Sequence, residues 1–287
     1  MTLPCLALSC LALSLSFFLL EFIIFYLKRR VIMKTAAQLY NVRDYCKTPA
    51  DIEATLRRIK TIGFGAIQIS GLGPCDPELL ASWVKEVGLE VCLTHTPWPR
   101  LVDPMELKKV IAEHKKLDCP LVGLAARPGD AYPNSYEGWS RFIKKTREIT
   151  GQIRDEGLNF SYHNHDFEFE KWHGITAMDR LIEEAPELYF TLDTFWVQAG
   201  GANPIKYIKK LEGRIKVIHF KDFRIQNGTR QFAEIGLGNL DWDEIIPLCK
   251  STGISYAAIE QDADWLEDPF QSLSVSREFL LGKLQGF

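Results

Sequence analysis

From Lys34 onward, short apolar runs alternate with longer amphipathic stretches. The runs KTAAQLY, GAIQIS, EVCLTH, PLVGLAA, NFSYHNH, YFTLDT, IKVIHFKD and YAAIEQD read as strands. Helix-like segments lie between them. TPADIEATLRRIKTIG opens on Thr48 as N-cap with Pro49 in the first helical position, and Gly63 stands after its last turn. DPELLASWVKEVG and DPMELKKVIAEHKKLD begin the same way, with Asp76 and Asp103 each before a proline. YEGWSRFIKKTREITGQIRDEG, WDEIIPLCKSTG and a final helix from about Pro269 complete the series.

Eight strands, each followed by a helix, imply a parallel sheet, and the runs are apolar on both faces, as strands covered by helices should be. Eight such units over about 250 residues favour a single closed (β/α)8 TIM barrel over an open doubly wound sheet. No G-x-G-x-x-G follows the first strand, so a dinucleotide fold is not supported. The expected organisation is a hydrophobic N-terminal segment, residues 1–32, followed by a barrel catalytic domain, residues 33–287.

That segment, LPCLALSCLALSLSFFLLEFIIFYLKRR, is apolar from Leu3 to Leu27 and long enough to span a bilayer. Three readings meet here. A membrane anchor would leave the rest of the chain cytoplasmic, because Lys28, Arg29 and Arg30 follow the apolar run. An export signal would want a charged residue before that run, and none is present. The preferred expectation is translation from Met33, with Leu, Ser, Phe and Cys reflecting pyrimidine-rich upstream DNA and Lys-Arg-Arg a ribosome-binding sequence. A membrane association is expected only if residues 1–32 are part of the protein.

Composition narrows the function. The 287 residues are 46% hydrophobic and 25% charged, with net charge −3, so no basic footprint for nucleic acid is present. Seven cysteines are scattered without a C-x-x-C pair and read as buried apolar residues of a reducing, cytoplasmic compartment.

The chemistry gathers at strand ends, where a barrel of this kind builds its site. Strand five ends at His163, strand six at Asp193, strand seven carries His219 and strand eight ends at Glu260. Neighbouring strands lie about 4.8 Å apart, so four inward side chains at similar height converge on one point. Strand alternation groups Ser161, His163 and His165 on one face, Val217, His219 and Lys221 on another, and Ala258, Glu260 and Asp262 on a third. Asp222 then points away from the axis and Asn164 toward the helices, with a structural role. Polar strand ends are ordinary, and an Asp there often caps a helix; consecutive strands ending in two imidazoles and two carboxylates are less so. Such an N/O set suits one divalent ion, Mn, Mg, Co, Fe or Zn.

MKTAAQLYNVRDY, YHNHDFEF, LDTFWVQAGG, VIHFKD, IGLGNLDW and IEQD resemble the sugar phosphate isomerase/epimerase family, the xylose-isomerase-like TIM barrels, from Met33 to about Leu284. That resemblance implies a metal held by Glu, Asp, His and Glu at the ends of strands five to eight. Asp193, His219 and Glu260 match three of these positions. His163 stands where the better-known epimerases carry Glu, so a two-glutamate proton transfer does not carry over. The superfamily also includes inosose dehydratases, hydroxypyruvate isomerases, enzymes acting on 3-keto-sugars and apurinic endonucleases.

The resemblance implies proton abstraction next to a carbonyl, with a divalent ion stabilising the enediolate. His163 and Glu260 are the expected proton-transfer groups and Lys221 the acid or electrophile, against a plain reading of Lys221 as a rim lysine. Gln38, Tyr40, His95, Trp98, His165 and Trp196 are the expected substrate contacts; Tyr40, Trp98 and Trp196 have packing as their plain reading. Glu168 and His173 lie in the loop after strand five, with a structural role preferred for Glu168. The glycines of GLGNLDW would let backbone approach a ligand. The favoured function is a metal-dependent isomerase or epimerase of a sugar, sugar phosphate or keto-sugar, with a lyase on the same site as the alternative. A non-catalytic sugar-binding barrel competes. An apurinic endonuclease would want more ligands and a basic groove. The expected partner is a small carbohydrate, with self-association left open.

Overall fold

The computed structural model describes residues 33–285. The segment 1–32, and with it the expected start at Met33, lies outside the described residues. Among the described residues no helix is long and apolar enough to cross a membrane, and five cysteines are free.

Eight parallel strands form the barrel: β1 Lys34–Gln38, β2 Ala66–Ile69, β3 Glu90–Thr94, β4 Leu121–Leu124, β5 Asn159–His163, β6 Tyr189–Thr191, β7 Val217–Phe220 and β8 Tyr256–Ile259. Their continuous ladders make two sheets, ordered β3-β2-β1-β8-β7 and β4-β5-β6. Isolated bridges close the circle. Asp193 pairs with His219 and Phe190 with Ile215 between β6 and β7. Thr96 N–H donates to the Gly123 carbonyl at 2.7 Å between β3 and β4. Gly123 permits that approach, since a Cβ there would stand 2.2 Å from the Thr94 carbonyl oxygen.

Helices follow the strands where local signals place them. Thr48 caps Pro49–Ile62 through a reciprocal bond with Asp51, and Asp76 and Asp103 accept the first free N–H groups of Pro77–Val87 and Pro104–Lys116. Each such cap stabilises its helix by roughly 1 kcal/mol. Tyr136–Asp155, Ala177–Glu184, Trp242–Ser251 and Pro269–Gln285 continue the outer ring, and the main apolar core lies between it and the strands.

The barrel interior is graded. Ala36, Ala66 and Ala258 sit side by side in register on β1, β2 and β8 as a floor of small side chains. Two residues on, the same faces carry Gln38, Gln68 and Glu260, because strand side chains repeat with period two. A polar layer therefore stands directly above an apolar one.

The chain after β7 departs from the expected single strand IKVIHFKD. The strand stops at Phe220, and Asp222–Gln226 pairs antiparallel with Thr229–Ala233. Asn227 and Gly228 turn this hairpin with φ of 53° and 73°, the left-handed pair that a tight two-residue turn requires. Asp222 points away from the axis and is fully buried, accepting from the N–H groups of Phe223, Gly236 and Leu240 and from Trp242 Nε1. The glycines of GLGNLDW make room inside the protein: a Cβ on Gly238 would lie 2.2 Å from the Asp222 carboxylate, and one on Gly236 would lie 2.5 Å from the Phe279 ring.

Candidate metal centre

One ligand atom each from His163, Asp193, His219 and Glu260 lie within 4.8 Å of one another, and all four residues are buried. His163 Nε2 is 3.5 Å from Asp193 Oδ2 and 4.0 Å from Glu260 Oε2, and His219 Nδ1 is 3.7 Å from Asp193 Oδ2. His219 Nδ1 and Glu260 Oε2 abut without a hydrogen bond, and neither has a hydrogen-bond partner among the described residues. Orphaned, buried and facing one another, such atoms fit a cation.

The surrounding chain aims each group. The Ala125 carbonyl lies 2.9 Å from His163 Nδ1 and can only accept, so Nδ1 donates there and Nε2 is turned toward the Asp193 carboxylate. Asp193 divides its oxygens: Oδ1 accepts from Trp196 N–H at 2.8 Å, capping Thr194–Ala199, while Oδ2 faces the imidazoles. The cap reading of this strand-end Asp is present, and it leaves Oδ2 turned to the imidazoles. Thr194 Oγ1 bonds the backbone of His219 and Lys221 and holds β7 alongside.

Lys221 points inward with Nζ 3.6 Å from Glu260 Oε1 and bonded to Asp262 Oδ2. Trp196 and Phe232 each stand 5.0 Å from Nζ, and Phe195 stands 5.9 Å away. Burial acts to lower the Lys221 pKa, but the charges of Glu260, Asp193 and Asp262 raise it, so it is an ammonium. Burial likewise opposes the charge on Glu260, yet the cations of Lys221 and His219 hold that carboxyl well below its usual range. His219 is pushed up to about 9; burial works against this and the carboxylates of Glu260 and Asp193 overcome it.

The expected substrate contacts separate into groups. His165 stacks on Phe167 at 5.5 Å, meets Trp196 at 5.1 Å and stands edge-on to His163 at 4.8 Å. Burial, then the neighbouring His163, brings its pKa down to about 3. Buried polar atoms without a hydrogen-bond partner among the described residues include Gln38 Nε2, His165 Nδ1, Trp196 Nε1 and Asp262 Oδ1. Tyr40 lies at the rim, 38% exposed, beneath the Arg43 guanidinium. Trp98 opens the helix Trp98–Val102, which carries its ring onto Tyr132 and Phe142. His95 bonds Gln68 and Ser70, and its ring lies 5.7 Å from that of His219. Burial, then His163, holds it well below the ordinary histidine range.

Three supporting residues were not assigned such roles from the sequence. Gln68 Oε1 is 2.7 Å from His219 Nε2. Asn164, expected only to be structural, accepts the Asp193 N–H. Glu168 is fully buried, accepts from Tyr162 Oη and the His165 N–H, and is pushed up to about 7 by burial. A lone Gln inside the apolar run AIQI was the legible signal for the first.

Comparison with known proteins bears on the family and the fold. An inosose dehydratase of Bacillus thuringiensis is 26% identical over 175 residues, 51% of this chain and 55% of that protein. The same enzyme name from Clostridium botulinum matches at 24% over 174 residues, 53% and 57%. The chain spans somewhat over half the length of these relatives. Among solved structures, a sugar phosphate isomerase/epimerase from Parabacteroides distasonis superposes with a TM-score of 0.70 at 21% identity, covering 86% of this chain and 98% of that one. An L-ribulose 3-epimerase superposes at 0.67 and 16% identity, covering 88% and 95%. Residues 56–279 match the xylose isomerase-like TIM barrel family, and the chain belongs to it.

Proposed function

We propose that this protein is a metal-dependent enzyme that moves a proton at the carbon next to a carbonyl in a sugar, sugar phosphate or keto-sugar. The observation that carries the reading is the convergence of His163, Asp193, His219 and Glu260 on one buried point at the strand ends. A divalent ion held there would supply charge for the oxygens of an enediolate. Glu260, whose Oε1 lies 3.6 Å from Lys221 Nζ, would take the proton, and Lys221 would donate one to a developing alkoxide or leaving hydroxyl. The spare polar atoms of Gln38, His165, Trp196 and Asp262 match the hydroxyls of a polyol, and Trp196 offers an aromatic face to the ring.

The Ala125 bond of His163 favours a second outcome on the same site. That corner holds a pinned imidazole and no second glutamate, so one carboxylate base and one ammonium acid suit loss of a β-hydroxyl as well as epimerisation. The test is incubation of the Mn²⁺-loaded protein with ketoses and keto-inositols in D₂O. Deuterium at the carbon next to the carbonyl supports the reading, an isomer or an unsaturated ketone separates its two outcomes, and Lys221→Gln should slow the step by about 10²- to 10⁴-fold. Bound metal with no deuterium entering any of these compounds counts against it.

A further inference from the structure

We propose that Gln68, braced by His95 and Ser70, is a positioning residue that decides which nitrogen of His219 carries the proton, and so whether the nitrogen facing the metal group offers a lone pair. The inference rests on the metal reading above. As a metal ligand His219 must be a neutral imidazole, with one N–H and one lone pair. Gln68 Oε1, 2.7 Å from His219 Nε2, can only accept, so Nε2 carries the proton. The lone pair is left on Nδ1, the atom beside Asp193 and Glu260.

Gln68 is held in that sense from its other side. Its Nε2 lies 2.9 Å from His95 Nε2, which accepts, and His95 Nδ1–H then donates to Ser70 Oγ at 3.2 Å. The relay crosses the barrel interior from β2 to β7, with β1 and β8 between them in the sheet order. Gln68 and His219 are fully buried. The same side chains admit the reverse direction. With the amide turned over, its NH₂ would face His219 Nε2, the proton would move to Nδ1, and no lone pair would meet an ion. His95 therefore acts on the centre through Gln68.

The test is titration of metal-free, full-length protein with Mn²⁺, followed by electron paramagnetic resonance, for wild type, Gln68→Leu, Gln68→Glu and His95→Phe. Gln68→Leu should weaken binding about 10- to 100-fold, the range for lost hydrogen-bond partners of ligand histidines. Gln68→Glu keeps an acceptor for His219 and should restore affinity to within a few-fold, with His95 presenting its Nε2–H instead; a loss through packing alone would not be rescued this way. His95→Phe, which frees the amide to turn, should weaken binding as well and stands in if Gln68→Leu does not fold. Histidine ¹⁵N resonances of the Zn²⁺-loaded wild type should show His219 protonated on Nε2. Unchanged affinity in both Gln68→Leu and His95→Phe, or an unprotonated Nε2, overturns the relay while leaving the proposed function standing. Absence of Mn²⁺ binding by the wild type overturns both.

Discussion

The side-chain oxygen of Asn164 accepts the backbone N–H of Asp193 at 3.0 Å, tying the residue after His163 to the carboxylate residue that follows the next strand. Both residues are fully buried. Asn164→Ala strands the Asp193 N–H away from water, a loss of about 1–3 kcal/mol. For a chain of this size that lowers Tm by roughly 2–10 °C. Scanning calorimetry checks it, and a Tm within about 1 °C of wild type would remove the bond from the account.

The divided carboxylate of Asp193 makes cap and ligand separable. Asp193→Asn keeps an oxygen for the Trp196 N–H but no longer offers a charged ligand. It should hold its Tm and lose most of its Mn²⁺. Asp193→Ala should lose the ion and a further ~1 kcal/mol for the missing cap. Glu260→Ala should lose the ion yet remain folded, since the residue stands above the apolar floor. Full metal occupancy in both alanine variants would dismiss the centre.

Strand five makes opposite predictions for its two neighbouring histidines. His163→Ala should release the ion, and His163→Glu should retain it. His165→Ala should leave the ion in place and reduce turnover, because its ring lies between Phe167 and Trp196. Metal analysis of the three purified variants decides this, and the reverse pattern would show that the other face of the strand lines the site.

Glu168 gives a pH dependence of defined sign. Burial raises its folded pKa from 4.5 to about 7, with Tyr162 and Arg127 as the ionisable neighbours. The folded state therefore binds more protons than the unfolded state between these values, and the Glu168 contribution to stability falls as pH rises from 4.5 to 7. The full swing is about 3 kcal/mol. Denaturant titrations at pH 4.5, 6 and 7.5 should show the wild type losing ground relative to Glu168→Gln as pH rises. Parallel pH profiles would refute the shift.

What was legible in the sequence was local or periodic. Thr48, Asp76 and Asp103 announced helix starts because an N-cap needs only its own next three residues. His163, Asp193, His219 and Glu260 could be grouped because alternation fixes faces and the barrel fixes heights. The hairpin after β7 was missed although Asn227–Gly228 is a strong turn signal, since the run ahead of it reads as one strand. Gln68 and His95 were harder. Their roles depend on hydrogen bonds across the barrel interior, which no spacing along the chain encodes. Trp98 shows the same limit from the other side, because only packing tells an aromatic at a strand end from one on a helix.

The two sheets of the barrel meet between β6 and β7 at isolated bridges and not along a continuous ladder. His163 ends a strand of the three-stranded sheet and Asp193 follows its neighbour, while His219 lies in the five-stranded sheet and Glu260 directly follows one of its strands. A cation shared by these side chains would be a rivet across the seam, with two shanks in each plate. Its removal would ease the edges apart before any helix melted. Amides such as those of Phe190 and His219, whose N–H groups cross the seam to Arg214 and Leu192, would then trade their protons with solvent sooner than those inside either ladder.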